Sequence, residues 1–224
     1  MLEHAEPAPA LSWLDGALSR FAADNGDLVA RTRALLDSTV AEPKRHARMI
    51  NTLSLLEHIG SHKIMATQHS AAIDQATLKH VAEEAHHAFF MKRHAEKTAE
   101  RPLEYVADDL LAASSARMYF QRLEGATVRA LGMQRSARAA YLYMSMIVEF
   151  RALWFYGLYE QALKRAGHAL SLKRVLGEEQ AHLGDMAQRL EAGHELDDAC
   201  AARVLAAERK LYLRLLRALE GANA

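Results

Sequence analysis

The 224-residue chain has few of the residues that build strands, turns or cross-links. Its one cysteine, Cys200, excludes an internal disulfide and any cysteine-based zinc site. Four prolines and eleven glycines are too few for an all-β chain full of turns. The β-branched apolar residues that strands favour are scarce, with 8 valines and 5 isoleucines. Net charge is absent as well. Lys+Arg and Asp+Glu balance at 28 each, which argues against general binding of nucleic acid or anionic membrane. No uncharged apolar run approaches the ~18 residues of a membrane span. The longest apolar stretch, 139–159, contains Glu149 and Arg151 and reads as a buried helix. The opening Met1-Leu2-Glu3-His4-Ala5-Glu6-Pro7 has neither a basic segment nor an apolar one, so the expectation is a cytoplasmic protein without membrane insertion.

What is abundant points to helix. There are 43 alanines and 32 leucines, and these are strong helix formers. Twelve histidines are many for a neutral chain, and histidine is the commonest metal ligand. The pattern predicts an all-α protein with a disordered tail over 1–10 and a single helical domain over 11–224. Helices are expected near 11–23, 28–40, 43–69, 75–99, 136–165, 171–192 and 195–219, with pieces over 103–133 broken near Gly125 and Gly132. Asp74 and Ser171 are suited to cap helix starts, and Pro43 suits a first turn. The segments 43–69, 75–99, 136–165 and 171–192 read as two antiparallel hairpins joined by a crossover of about 35 residues.

Glu-x-x-His places a carboxylate and an imidazole on one helical face, one turn apart. With 18 glutamates and 12 histidines, about one match arises by chance, so the motif alone says little. Four are present: Glu83/His86, Glu84/His87, Glu179/His182 and Glu191/His194. The last contains Gly193 at a helix end and is set aside. Position carries the information in the others. Glu57 lies within Leu53-Ser54-Leu55-Leu56-Glu57-His58-Ile59, one helix before Glu84. Glu149 lies within Met144-Ser145-Met146-Ile147-Val148-Glu149-Phe150, one helix before Glu179. The midpoint between Glu57 and the Glu84/His87 turn falls near residue 71, and that between Glu149 and the Glu179/His182 turn near residue 165. Both midpoints sit at or beside expected loops, so each pair stands level in its hairpin.

An internal repeat supports the same choice. Val81-Ala82-Glu83-Glu84-Ala85-His86-His87, followed by Met91, aligns with Leu176-Gly177-Glu178-Glu179-Gln180-Ala181-His182, followed by Met186. Leu55-Leu56-Glu57 aligns with Ile147-Val148-Glu149. The offsets are 95 for the paired motifs and 92 for the single glutamates. The alignment selects Glu84/His87 over Glu83/His86. His80, one turn before Glu84, stands where it can support a ligand.

Two copies of Glu…Glu-x-x-His on linked hairpins resemble the ferritin-like di-iron carboxylate proteins. The resemblance spans about residues 43–192. Its spacing is similar to that of the oxidases and oxygenases, aldehyde-deformylating oxygenases among them, and the rubrerythrins share the ligand set. It implies a ferritin-like four-helix bundle with added N- and C-terminal helices. It also implies a metal set of Glu57, Glu84, His87, Glu149, Glu179 and His182. Glu84 and Glu179 would bridge, Glu57 and Glu149 would be terminal, and each histidine would bind one metal. Two iron ions fit these donors, and manganese or a mixed iron–manganese pair fits them too. The implied activity is a non-haem di-iron oxidation of a small organic substrate by O2, with electrons from an external reductase or ferredoxin. No nucleic acid is expected, and a homodimer is one option. The rival readings are an iron-handling or peroxide-scavenging protein and a metal-free helical interaction module. Charge gives a physical reason for metal, because four buried carboxylates are costly until cations neutralise them.

Other residues carry smaller expectations. Tyr141, Tyr143, Trp154, Phe155, Tyr156 and Tyr159 read mainly as core, with a redox-active tyrosine as the sharper option. Glu160 reads as a solvated acid or part of an ion-entry route, and Asp185 as a group that could orient His182. Glu83, Glu178 and His86 would flank the site. His62, His69 and His94 read as surface residues and Cys200 as inert. Alternative pairings of Glu149 with Arg138 or Arg151 are open. An oxygenase would need an apolar tunnel, lined by residues such as Leu53, Leu56, Met91, Met146, Tyr156 and Met186. The basic amphipathic stretch Lys210–Arg217 reads as a docking helix or dimer contact.

Overall fold

The computed structural model describes residues 9–67, 73–132 and 136–222. It is all-α, with eight helices and no strand among the described residues. They are α1 (Pro9–Asp24), α2 (Gly26–Val40), α3 (Pro43–Ala66), α4 (Gln75–Ala99), α5 (Ala113–Leu131), α6 (Ala137–Arg165), α7 (Lys173–Ala192) and α8 (Asp198–Gly221). A single 3-10 turn, Ala107–Asp109, lies between α4 and α5.

Side-chain caps set several boundaries. Asp74 accepts from the Thr77 amide at 2.7 Å, Ser136 from Ala139 at 3.0 Å and Asp197 from Cys200 at 3.0 Å. Such caps satisfy amides that the first turn leaves unpaired. Pro43 opens α3, where its missing N–H costs nothing. Four expectations need correction. Ser171 is not the cap of α7; the residue there is Leu172, whose amide donates to buried Glu160 at 2.7 Å. Glu160 is therefore neither a solvated acid nor placed by any contact on an ion route; it closes the α6–α7 connection. Gly125 lies inside α5 and breaks nothing, because flanking apolar residues such as Leu123 are buried and tertiary packing outweighs one glycine's propensity. Helix α1 starts at Pro9 and buries Ala10, so the expected tail loses its last two residues to helix. Residues 1–8, His69 and the centre of the α3–α4 connection lie outside the described residues.

α3 packs along α4 and α6 along α7, while α4 also meets α7 and α3 meets α6. α1 lies on α7, α2 on α6 and α3, and α5 on α8, α3 and α6. α6 is the central element. It has almost no polar face, and Leu142, Tyr143, Met146, Ile147, Phe150 and Tyr159 are fully buried along it. Burying a side chain such as Phe150 or Met146 contributes roughly 1.5–3 kcal/mol. No helix among the described residues is long and apolar enough to cross a membrane. The apolar stretch 139–159 is the middle of α6.

Candidate metal centre

Four helices place charged side chains in this apolar interior. Glu57 comes from α3, His80, Glu84 and His87 from α4, Glu149 from α6, and Glu179 and His182 from α7. All seven are buried. The sequence explains their common orientation. His80, Glu84 and His87 are successively four and three residues apart, and Glu179 and His182 are three apart, so each set shares a helical stripe. His86, one residue out of phase, is exposed, and the paired motif that turns inward is Glu84/His87.

The donors form two quartets. His80, Glu84, Glu149 and His182 offer four ligand atoms within 4.8 Å of one another, and so do Glu57, Glu84, His87 and Glu179. Glu84 belongs to both. Glu179 spans the two histidines, with Oε1 3.3 Å from His87 Nδ1 and Oε2 3.1 Å from His182 Nδ1. These buried groups can hold metal ions. All six residues singled out by the repeat are brought together, and His80 joins them.

Each imidazole is held from behind. His182 Nε2 donates to Glu83 at 2.9 Å, and His87 Nε2 donates to Glu178 at 2.8 Å. Lys79 pairs with Glu83 and Arg174 with Glu178, each from one turn earlier. The 95-residue offset of the doublets thus extends to 79 and 174. With Nε2 engaged, Nδ1 is the nitrogen that faces the carboxylates, and it would offer its lone pair to a cation once its proton leaves; carboxylates orient metal-binding histidines in this way.

The inner atoms are left unsatisfied. Glu84 Oε1, His87 Nδ1 and Glu179 Oε1 are buried without hydrogen-bond partners. Buried polar atoms rarely go unpaired, because each costs about 1–3 kcal/mol. Three of them facing one another fit a cation between them. Gly60 on α3 makes room for the same group, since a Cβ there would stand 3.3 Å from Glu84 Oε2.

Electrostatics agree. Burial, then the Glu84 and Glu179 charges, push the Glu57 carboxyl well above its ordinary value. Burial and the Glu149 charge push Glu179 up as well. Burial pulls the imidazoles down, but facing carboxylates outweigh it. His80 is pushed up to about 9, His87 to about 10 and His182 to about 11. Burial and Glu84 act to raise Glu149, yet His182 and His80 bring its net direction down. Four carboxylates here draw positive charge inward, and protons on imidazole supply it when nothing else does.

The terminal carboxylates are held differently. Tyr156 on α6 donates its hydroxyl hydrogen bond to Glu57. Glu149 instead faces His80 Nε2 at 3.2 Å, and the far nitrogen of His80 meets the Tyr141 hydroxyl at 3.1 Å. In sequence these tyrosines read mainly as core, and a helical stripe alone does not reveal their roles, because their partners lie on other helices.

Beside Glu57 and Glu149 lies a cavity of about 80 Å³ with mainly apolar walls, among them Leu53, Leu56, Val148, Phe120, Phe155 and Tyr156. Of the expected tunnel residues, Leu53, Leu56 and Tyr156 line it. Met91, Met146 and Met186 do not; they are buried in the core. The lining also includes Arg151, whose guanidinium pairs with Glu208 through two 2.8 Å bonds and with Asn25 at 2.7 Å. Arg151 is thereby committed away from Glu149. Asp185 is exposed and pairs with Arg189, so it does not orient His182. His62 is exposed and His94 half-buried, both outside the cluster, and Cys200 is a buried thiol. α8 docks on α5, as its amphipathic pattern predicts. No protein-family model, no curated protein and no solved structure matches this chain.

Proposed function

We propose that this chain is a ferritin-like dinuclear metal protein that oxidises a small organic substrate with O2. The observation that carries this reading is the pair of buried quartets sharing Glu84, with His87 and His182 each backed by a carboxylate from the opposite motif. In this reading Glu84 and Glu179 would be shared by two ions, Glu57 and Glu149 would each serve one, and His87 and His182 would each hold one. Iron suits the mixed oxygen and nitrogen donors, and manganese is accepted by the same set. A bound ferrous pair supplies electrons and open coordination positions for O2 reduction.

The chain's own residues do the rest. Glu83 and Glu178 keep the Nε2 protons and so hold Nδ1 toward the centre. Tyr156 fixes the Glu57 carboxylate by donating to it. The apolar wall keeps water from the face where Glu57 and Glu149 meet the cavity. This wall favours an organic substrate over iron handling, which calls for an acidic path. The orphaned inner atoms speak against a metal-free interaction module. The electron donor is an external reductase or ferredoxin, and the protein works in the cytoplasm.

The test is optical. The full chain, metal-free, is loaded with Fe(II) anaerobically and mixed with O2. A new visible or near-ultraviolet band that forms with loss of Fe(II) is expected. A spectrum indistinguishable from iron in buffer contradicts the reading.

A further inference from the structure

We infer that His80 is a seventh ligand and makes the two metal positions chemically unequal, one sorted for an ion that prefers nitrogen and the other for an oxygen-loving one. The inference rests on the dinuclear reading above.

The first observation is geometric. His80 is buried, one helical turn before Glu84, with Nε2 3.2 Å from Glu149 Oε1 and 3.6 Å from Glu84 Oε1. Its ring lies 4.2 Å from that of His182. Its Nε2 therefore points at the same carboxylate oxygens as His182 Nδ1, which stands 3.7 Å from both Glu84 Oε1 and Glu149 Oε1. The Tyr141 hydroxyl occupies its other nitrogen, 3.1 Å away. A histidine held from behind with its free nitrogen among carboxylates is arranged as a ligand.

The second observation is a break in the repeat. The offset of 95 that relates 79 to 174, 83 to 178, 84 to 179, 87 to 182 and 91 to 186 relates His80 to Val175. Those five pairs match in chemistry, whereas at 80 and 175 a buried imidazole stands opposite a valine; the other unmatched imidazole, His86 opposite Ala181, is exposed and faces away from the centre. The terminal carboxylates follow the same asymmetry, since Glu149 faces His80 while Glu57 is held by Tyr156.

Glu84 belongs to both quartets and Glu179 spans both histidines, so the two positions differ in imidazoles: one offers two, His80 and His182, and the other offers His87 alone. Affinity of nitrogen donors rises from Mn(II) through Fe(II) to Co(II), while carboxylate-rich sites suit Mn(II). The His80 position should fill first with the later metal. The position with a single imidazole should be the one open to manganese.

The experiment uses the full metal-free chain, Co(II) and Mn(II) as probes, and the variants His80→Gln and His80→Val. Wild type should take its first Co(II) at least tenfold more tightly than its second. X-ray absorption at one equivalent should count two imidazoles on cobalt. With one equivalent of Co(II) and an excess of Mn(II) supplied, wild type should settle near one cobalt and one manganese per chain. Either variant should bring the two cobalt affinities together and spread cobalt over both positions. Two equal cobalt affinities in wild type, or one imidazole per cobalt at one equivalent, overturn the inference and leave the dinuclear reading standing. Wild type that binds neither ion overturns both. The wild-type measurements decide the matter even where a variant fails to fold.

Discussion

His182 on α7 donates its Nε2 proton to Glu83 on α4 across 2.9 Å, and Glu83 is the residue next to a proposed ligand in the other half of the repeat. His87 and Glu178 return the arrangement at 2.8 Å. Each Glu-Glu doublet therefore serves two sites, its second carboxylate facing inward and its first supporting the opposite imidazole. Glu83→Gln keeps the shape of this contact but removes the charge. Metal affinity should fall by about 10–100-fold with the melting temperature of the metal-free protein little changed. Isothermal titration of wild type and variant checks this, and equal affinities would contradict the supporting role.

Gly60 offers a substitution with opposed effects. Alanine in a helix interior is worth up to about 1 kcal/mol over glycine. Its Cβ, however, would lie 3.3 Å from Glu84 Oε2 and force that carboxylate to move by a few tenths of an ångström. Gly60→Ala should melt at or above the wild-type temperature while binding metal about tenfold more weakly. A variant that binds as tightly as wild type would show that the glycine is not there for Glu84.

Metal uptake should release protons. His80, His87 and His182 are held at about 9, about 10 and about 11, so all three are charged at pH 7 and must lose their protons to bind a cation. Affinity should rise with pH, by about tenfold per unit for each proton displaced. The sign for stability is the reverse. These folded values lie above the ordinary 6.5, so the stabilisation they give is complete below pH 6.5. It is lost as pH climbs through 9 to 11. Glu57, a carboxyl pushed up, acts in the same direction. The metal-free protein should melt at a lower temperature at pH 10 than at pH 7. Titrations in buffers of different ionisation heat count the protons; zero released would contradict the account.

How much of this was legible in the sequence depends on the kind of contact. The spacing of Glu57, Glu84, Glu149 and Glu179 follows from helical periodicity and loop position, which one chain displays directly. α4 was readable to the residue because Asp74 caps it. The Glu83–His182 and Glu178–His87 bonds were not, because they join helices whose relative rotation no periodicity states. The same holds for Tyr156 on Glu57 and for Arg151, whose partner Glu208 lies on the last helix. Glu160 read as solvated because an acid near a helix end usually is. Here it is buried, and its carboxylate accepts the amide that starts α7.

A second titration lies away from the centre. His46 is buried, with Nε2 2.5 Å from the Tyr159 hydroxyl and its ring edge-on to His168. Burial, then the charge on His168, pulls it down to about 4. Its folded value lies below the ordinary 6.5, so the fold is fully stable above pH 6.5 and loses stability as pH falls toward 4. The loss should be on the order of 3 kcal/mol. Chemical denaturation of wild type and His46→Gln across that range checks this. The variant should lack that part of the acid slope, and identical slopes would contradict it.

The central claim is that four carboxylates and their histidines hold two metal ions, and metal content tests it most directly. The full chain is purified from cells grown with added iron, beside Glu84→Gln and Glu179→Gln, and metal per chain is counted. The account predicts about two ions per wild-type chain and loss of both in each variant, with the helical spectrum retained. A wild-type chain that stays metal-free, or variants that keep both ions, would contradict it.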